Sequence, residues 1–368
     1  MKKIGLLALL LNSLYAFDTD IEGYIRGGYQ NFEDNTIDKS DSAISAKLKI
    51  DISNKFDNIS YGLVSSIYGV QNIGDINNIG VPFYSNDNKS YGVIGEGYIK
   101  AKISKTEIKI GRQEIETPFI NSDDIAMIPN FYEGITIQSK DIKDIEINGG
   151  YIYKWAGVDT DVPQEFNRIN SDNGVEFIGA IYSGVENLTL QGWFYNIEDR
   201  LTNIYLEANY SLNNITLSTQ YANQDYDNGD NSKIYGVSLE YSYDKIGISS
   251  YIGYNTTDGI GANNLFGGGA FLTSAEHITL AEAGDNGDAL KIGANWDLSK
   301  VGIEGLNLST SYLTLNRDTL DDINELDITM EYAYSDNLSL NIIYSDIDDK
   351  ADDDNSFQDL RVFIQYNF

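Results

Sequence analysis

The stretch Ile44-Ser-Ala-Lys-Leu-Lys-Ile-Asp-Ile52 decides the fold, because apolar and polar residues alternate through it with a period of two. Successive side chains of a β-strand point to opposite faces. The aliphatic residues of this stretch therefore share one face, and Lys47, Lys49 and Asp51 share the other. The alternation predicts a strand with one apolar face and one polar face.

The same alternation recurs along the rest of the chain. It predicts an all-β fold and marks eighteen segments, although a count of sixteen strands stays open. The eighteen segments lie near residues 21–32, 43–53, 59–70, 91–103, 106–113, 131–140, 145–155, 174–183, 188–197, 202–212, 215–222, 233–243, 246–256, 289–298, 305–315, 324–334, 338–345 and 357–368.

The connections between these segments alternate between short and long. Residues 213–214 form a short connection and residues 257–288 a long one, and only 198–201 is short where a long connection is due. Short turns at one end and long loops at the other are typical of a transmembrane antiparallel β-barrel. A large β-sandwich or β-solenoid would also alternate. Tyrosines near the strand ends, where barrels carry aromatic girdles, favour the barrel.

The first sixteen residues have the layout of a secretory signal peptide. Lys2 and Lys3 precede the apolar run 4–11, and small or polar residues follow as far as Ala16. The run is too short to span a bilayer as a helix. The sequence therefore predicts an exported chain with a signal peptide at 1–16 and an outer-membrane barrel at 17–368, in a Gram-negative bacterium.

The composition argues against several classes of function. With 56 acidic and 25 basic residues, the net charge of -31 disfavours binding to nucleic acid. The chain has no cysteine and a single histidine, His277, so we expect no metal site, no cofactor and no catalytic residue. Ser274 lies near His277, but the two form no recognisable catalytic motif, and we expect no enzymatic activity.

The carboxy-terminal strand predicts how the barrel is assembled. From Leu360 every second residue is apolar, up to the terminal phenylalanine. This pattern resembles the last strand by which bacterial outer-membrane proteins are recognised for assembly. Tyr366 and Phe368 are the residues that we expect to form that signal.

The stretch from Ile110 to Gly134 resembles the third-loop region of the OprD-type outer-membrane porins. The matching elements are Gly111-Arg112-Gln113, Pro118, Asp123-Asp124, Pro129 and Glu133-Gly134. The resemblance implies an eighteen-stranded channel, monomeric or trimeric, whose third loop folds inward to narrow the pore. The loop residues that it places at the constriction are Glu114, Glu116, Pro118, Asp123, Asp124 and Pro129.

The polar faces of the early strands predict a basic pore wall. In the OprD-type porins a ladder of basic residues serves carboxylate-bearing nutrients such as amino acids, and acids on the third loop and the later strands would place a field across the pore. The expected partners are small polar solutes, outer-membrane lipid and lipopolysaccharide. The alternative is a structural or adhesive barrel with a blocked lumen. The residues assigned to the basic wall are Lys47, Lys49, Lys100, Lys102, Lys109, Lys140 and Lys154, with Arg112 at the mouth of the third loop.

Overall fold

The computed structural model describes residues 17–368 except 37, 74–88, 172 and 352–354, so the expected signal peptide lies outside the described residues. The described chain forms a barrel of eighteen antiparallel strands. They are β1 Asp18–Asp34, β2 Asp38–Phe56, β3 Ile59–Asn72, β4 Tyr91–Ile103, β5 Thr106–Gln113, β6 Phe131–Ser139, β7 Ile145–Ala156, β8 Val175–Val185, β9 Leu188–Ile197, β10 Leu201–Leu212, β11 Ile215–Tyr226, β12 Asn231–Tyr243, β13 Ile248–Gly259, β14 Asp288–Asp297, β15 Leu306–Asn316, β16 Ile323–Ala333, β17 Leu338–Asp349 and β18 Phe357–Asn367.

The sheet closes on itself between its first and last strands. β1 pairs with β2 along one edge and with β18 along the other, from Tyr24 opposite Asn367 to Asp34 opposite Phe357. Closure leaves no strand edge exposed to lipid, where an unpaired peptide group would be costly. The prediction of eighteen strands is confirmed, and sixteen is excluded.

Two connections are much shorter than the alternation predicted. Where a loop is expected at 33–42, β1 extends to Asp34 and β2 begins at Asp38, and the loop expected at 223–232 is reduced to residues 227–230. The reason is that polar residues continue the ladder beyond the apolar band. Asn31 donates a side-chain hydrogen bond to Asp38 at 3.0 Å, and Phe32 stacks on Phe357.

The two faces of the wall differ as the alternation predicts. Aliphatic side chains such as Ile25, Leu48 and Ile110 are exposed on the outside, where lipid would cover them. Residues of the opposite phase, such as Arg26 and Tyr68, are buried on the inside. The apolar band therefore faces outward, and the mixed polar and aromatic face lines the interior.

Five short elements of the described chain lie outside the eighteen strands. Residues Glu116–Thr117 and Ile120–Asn121 form a hairpin, and Asn167–Arg168 pairs with the end of β7. Leu280–Ala283 and Leu298–Val301 are single turns of 3₁₀ helix. Within the described part of the chain, no helix is long and apolar enough to cross a membrane.

Candidate functional site

The third loop, residues 114–130, packs against side chains of the barrel wall. The ring of Phe119, at its hairpin, is fully buried and lies 5.5 Å from the rings of both Tyr195 on β9 and Tyr205 on β10. Pro118 occupies the turn of the hairpin, where its fixed φ suits the second position of a β-turn. Burial of these aromatic rings holds one end of the loop against β9 and β10.

The seventh loop, residues 260–287, joins the third loop through the backbone. Phe266 donates its N–H to the carbonyl of Phe119 at 3.1 Å, and Asn121 donates to the carbonyl of Phe266 at 3.0 Å. The Tyr132 hydroxyl donates to the same carbonyl of Phe266 at 3.0 Å. These hydrogen bonds link the two loops directly. The ring of Phe271 also lies 5.9 Å from that of Phe119 and joins the aromatic cluster formed by Phe119, Tyr195 and Tyr205.

The other end of the third loop is fixed by Arg26 of β1. Its two terminal nitrogens each lie 2.7 Å from one oxygen of Asp124, and it also donates to the carbonyl of Ala126. Its Nε donates to the side chain of Gln365 on β18 at 2.7 Å. The Arg26 side chain is 9% exposed and the Asp124 side chain 44%, so the arginine of this bidentate pair is shielded from water and the carboxylate is partly exposed.

Carboxylates of the later strands hold the seventh loop. Glu325 on β16 accepts the backbone N–H groups of His277 at 2.8 Å and Ile278 at 2.7 Å. On β18, Arg361 lies 2.7 Å from Glu276 of the loop, and Asp359 lies 3.1 Å from Nε2 of His277. The single histidine of the chain thus serves to attach the loop to the wall.

Four lysines of the expected basic wall face the interior in ion pairs. Lys47 lies 3.8 Å from Glu114 of the third loop, and Lys49 lies 3.3 Å from the buried Glu96. Lys100 pairs with Asp51, and Lys109 lies 3.7 Å from Glu107. Positive and negative side chains therefore alternate along this part of the wall. The count of lysines alone did not reveal this alternation.

Two further lysines of that set lie away from the third loop. Lys102 is exposed one residue before the end of β4, beside the short turn 104–105. Lys140 lies in the turn 140–144, where it pairs with Glu146 at 3.0 Å. Both stand at the short-turn end of the barrel, opposite to the end that carries the third loop.

The placement of Arg112 and Lys154 in the pore wall is corrected by the structure. Arg112 has the phase of Ile110, which is exposed on the outside, and it pairs across the ladder with Glu133. Lys154 is also opposite Glu133, because a bulge between β6 and β7 inserts Tyr153 and reverses the phase of the residues beyond it. Both cations therefore lie on the outer face.

The residues expected at the constriction differ in setting. Glu114 pairs with Lys47, Glu116 is exposed in the hairpin, and Pro129 is buried at the end of the loop. Asp123 is partly buried, and burial together with the nearby charge of Asp159 raises its pKa to about 6. Asp123 lies next to the seventh loop, and Asp124 is paired with Arg26 of β1.

The interior beside the loops contains polar cavities. One of about 350 Å³ separates the third loop from β16, β17 and β18, and a second of about 620 Å³ lies beside β12–β16. Lys291 and Asp327 line the second cavity. The first is lined in part by Arg26, Asp124, Glu276, Glu331, Asn341 and Gln365.

Three further residues of the site, Arg26, Arg361 and Glu276, were not predicted from the sequence. Arg26 has the polar phase of β1, and Arg361 the polar phase of β18, so the period-two pattern could have placed both inside. Glu276 carries no such signal, because it lies in an irregular loop whose path depends on tertiary contacts.

Comparison with known proteins places the chain among porins. Residues 77–368 match the model of a family described as outer membrane porin, OprD family. No curated protein sequence matches the chain. Similar solved structures include OccAB2 of Acinetobacter baumannii, 20% identical with a TM-score of 0.84 over 95% of this chain and 98% of that one. A BenF-like porin from Pseudomonas fluorescens Pf-5 is 18% identical with a TM-score of 0.83, and Pseudomonas aeruginosa OpdK with vanillate is 15% identical with a TM-score of 0.82, each over 95% of this chain and 98% of the other.

Proposed function

The chain belongs to the OprD family of outer membrane porins, which are channels for small solutes, and we propose that its passage favours solutes that carry a carboxylate, such as amino acids. We further propose that the third and seventh loops together form the constriction. Each barrel encloses its own passage, so the proposal is the same for a monomer and for a trimer.

The observation that carries the proposal is the cavity between the third loop and β16–β18. Its lining includes a cation, Arg26, and three carboxylates, Asp124, Glu276 and Glu331. Arg361, on the strand next to that of Arg26, holds Glu276. A solute carboxylate arriving here would compete with Asp124 and Glu276 for two guanidinium groups.

A narrow passage at this point would strengthen the competition for the guanidinium groups. Charges in a slot with low-dielectric walls act more strongly than at an open surface, and a guanidinium binds a carboxylate through two parallel hydrogen bonds. A solute with an ammonium group would also find acceptors in the carboxylates that its own carboxylate displaces. The arrangement thus favours zwitterions over neutral solutes of equal size.

The paired lysines farther along the wall also support a preference for solutes that carry a carboxylate. Lys47 and Lys49 alternate with Glu114 and Glu96, which gives a moving solute a succession of exchangeable partners. Vanillate, named with OpdK, is itself a carboxylate, so one barrel similar in fold to this chain is known with a carboxylate ligand.

The packing of Phe119 and its aromatic neighbours is the observation that favours the second candidate, a barrel with a blocked lumen. This cluster fills the side of the interior nearest β9 and β10. The two polar cavities of about 350 and 620 Å³ lie beside β12–β18 and favour a passage there.

Liposome swelling tests the carboxylate bias. Alanine and lactamide have nearly the same size, but only alanine carries a carboxylate. We expect alanine to enter faster through the wild-type protein and the preference to fall in Arg361→Gln. Lys140→Gln, in an exposed turn, is the control. Equal entry of the two solutes in the wild-type protein would contradict the proposal.

A further inference from the structure

A cluster of charged and aromatic residues lies on the outer face of the barrel, away from the lumen. Arg112 lies 3.1 Å from Glu133, Lys154 lies 3.9 Å from the same carboxylate, and the hydroxyl of Tyr153 donates to it. Phe166 of the fourth loop covers the guanidinium of Arg112 at 4.0 Å. These five residues are called the rim cluster.

The rim cluster stands at the end of the barrel that carries the long loops. Arg112 is one residue from the end of β5, next to the third loop, and Glu133 is near the start of β6. In outer-membrane barrels the long loops face the cell exterior. The cluster therefore lies at the level of the head groups of the outer leaflet.

The charge of the rim cluster is positive, in contrast to the chain as a whole. Two cations, Arg112 and Lys154, share the single carboxylate of Glu133. The full chain has 56 acidic residues against 25 basic ones. An excess of positive charge on a lipid-facing surface is unfavourable in free energy unless an anion pairs with it.

An apolar groove adjoins the cluster on the same surface. It has a volume of about 560 Å³, and Gly97, Gly111 and Gly134 on three neighbouring strands leave it open. Gly111 and Gly134 cannot be enlarged, since a Cβ atom would lie 2.2 Å and 2.1 Å from backbone oxygens. Ile94, Ile110, Ile135 and Tyr151 form its apolar lining, with Arg112 and Glu133 at its edge.

We propose that this groove binds a phosphorylated glycolipid of the outer leaflet. An acyl chain would lie along the isoleucines, and a phosphate would meet Arg112 and Lys154. A guanidinium group binds phosphate through two hydrogen bonds. The aromatic ring of Phe166 holds the guanidinium group of Arg112 in place. The site lies outside the lumen and is independent of which solutes pass through it.

Native mass spectrometry of the folded full chain tests the proposal. The probe is bisphosphorylated lipid A, with dephosphorylated lipid A and inorganic phosphate as comparisons. We expect the bisphosphorylated form to bind most tightly. The double variant Arg112→Gln with Lys154→Gln should bind it about ten-fold or more weakly, because two charge-assisted contacts are lost.

Two variants make the result specific. Lys245→Gln with Lys300→Gln removes the same charge from exposed positions at the short-turn end and should bind like the wild-type protein. Ile110→Trp fills the groove, keeps both cations and should also weaken binding. Equal binding of the phosphorylated and dephosphorylated lipids, or of the wild-type protein and the Arg112 and Lys154 double variant, overturns the proposal. Heat-modifiable gel migration confirms that each variant is folded.

Discussion

Arg26 on the first strand and Asp124 in the third loop, 98 residues apart, form a two-pronged ion pair with both nitrogen–oxygen distances at 2.7 Å. Arg26 also binds Gln365 on the last strand. One side chain therefore links the closure of the barrel to the position of the loop.

Replacing Arg26 should loosen the third loop. Arg26→Gln removes the pair and leaves Asp124 without its cation. Loss of a well-shielded pair lowers stability by about 2–5 kcal/mol. The effect here should be smaller, because the Asp124 side chain is 44% exposed. We expect a noisier and larger single-channel current. Arg26→Lys keeps the charge but not the bidentate geometry. Its current should lie between that of the wild-type protein and that of Arg26→Gln. A current identical to that of the wild-type protein in Arg26→Gln would contradict this role.

Asp123 should make ion selectivity depend on pH. Burial and the charge of Asp159 raise its pKa to about 6, and Glu276 and Arg361 also act on it. The group takes up its proton as pH falls through about 6, so the loop loses a negative charge and cation preference should decrease from about pH 7.5 to about pH 5. Because the raised pKa favours the protonated form in the folded state, that fall in pH also stabilises the loop.

Reversal potentials in a salt gradient at the two pH values measure this change. Asp123→Asn should show less of the pH-dependent change, and asparagine tolerates the left-handed backbone at this position, where φ is 40°. A variant that keeps the full pH dependence would show that another group is responsible.

The last residue should matter for barrel assembly through the backbone and the ring. Phe368 and Gly23 exchange two backbone hydrogen bonds, at 2.9 Å and 3.0 Å, and the Phe368 ring covers Gly23. Deleting Phe368 removes both bonds, about 2 kcal/mol in all, and lowers the folded fraction on heat-modifiable gels. Phe368→Leu should retain most assembly. Normal assembly of the deletion variant would rule out this role.

Glu325 should hold the seventh loop against the wall. It accepts two backbone N–H groups, so Glu325→Ala should weaken the local attachment of the loop by about 1–3 kcal/mol, whereas Glu325→Gln retains part of it. We expect greater protease sensitivity within residues 260–287 in the alanine variant, and Glu186→Gln, in an exposed turn, serves as control. Unchanged cleavage of Glu325→Ala would show that other contacts suffice.

The strands were predictable from the sequence, because one face of each strand lies against lipid and the other faces the interior. Apolar and polar residues therefore alternate with a period of two along the chain. The phase of individual side chains was less predictable. One inserted residue, Tyr153, moves Lys154 to the outside, and Arg112 was assigned by its nearness to the third loop although it shares the phase of Ile110. The pairing of Arg26 with Asp124 depends on closure of the whole barrel, which no local pattern encodes.

Single-channel recording in a planar bilayer shows whether the third loop forms the constriction. Reversal potentials are measured for the wild-type protein and for Asp123→Asn combined with Asp124→Asn. We predict discrete open steps. At low salt the acidic outer loops should favour cations, because their field reaches about 10 Å or more at an ionic strength of about 0.1 M or lower, and at high salt the pore wall should dominate. The double variant should shift both the conductance and the reversal potential. Absence of open steps in the wild-type protein, or a double variant that changes neither quantity, would contradict a constriction formed by the third loop.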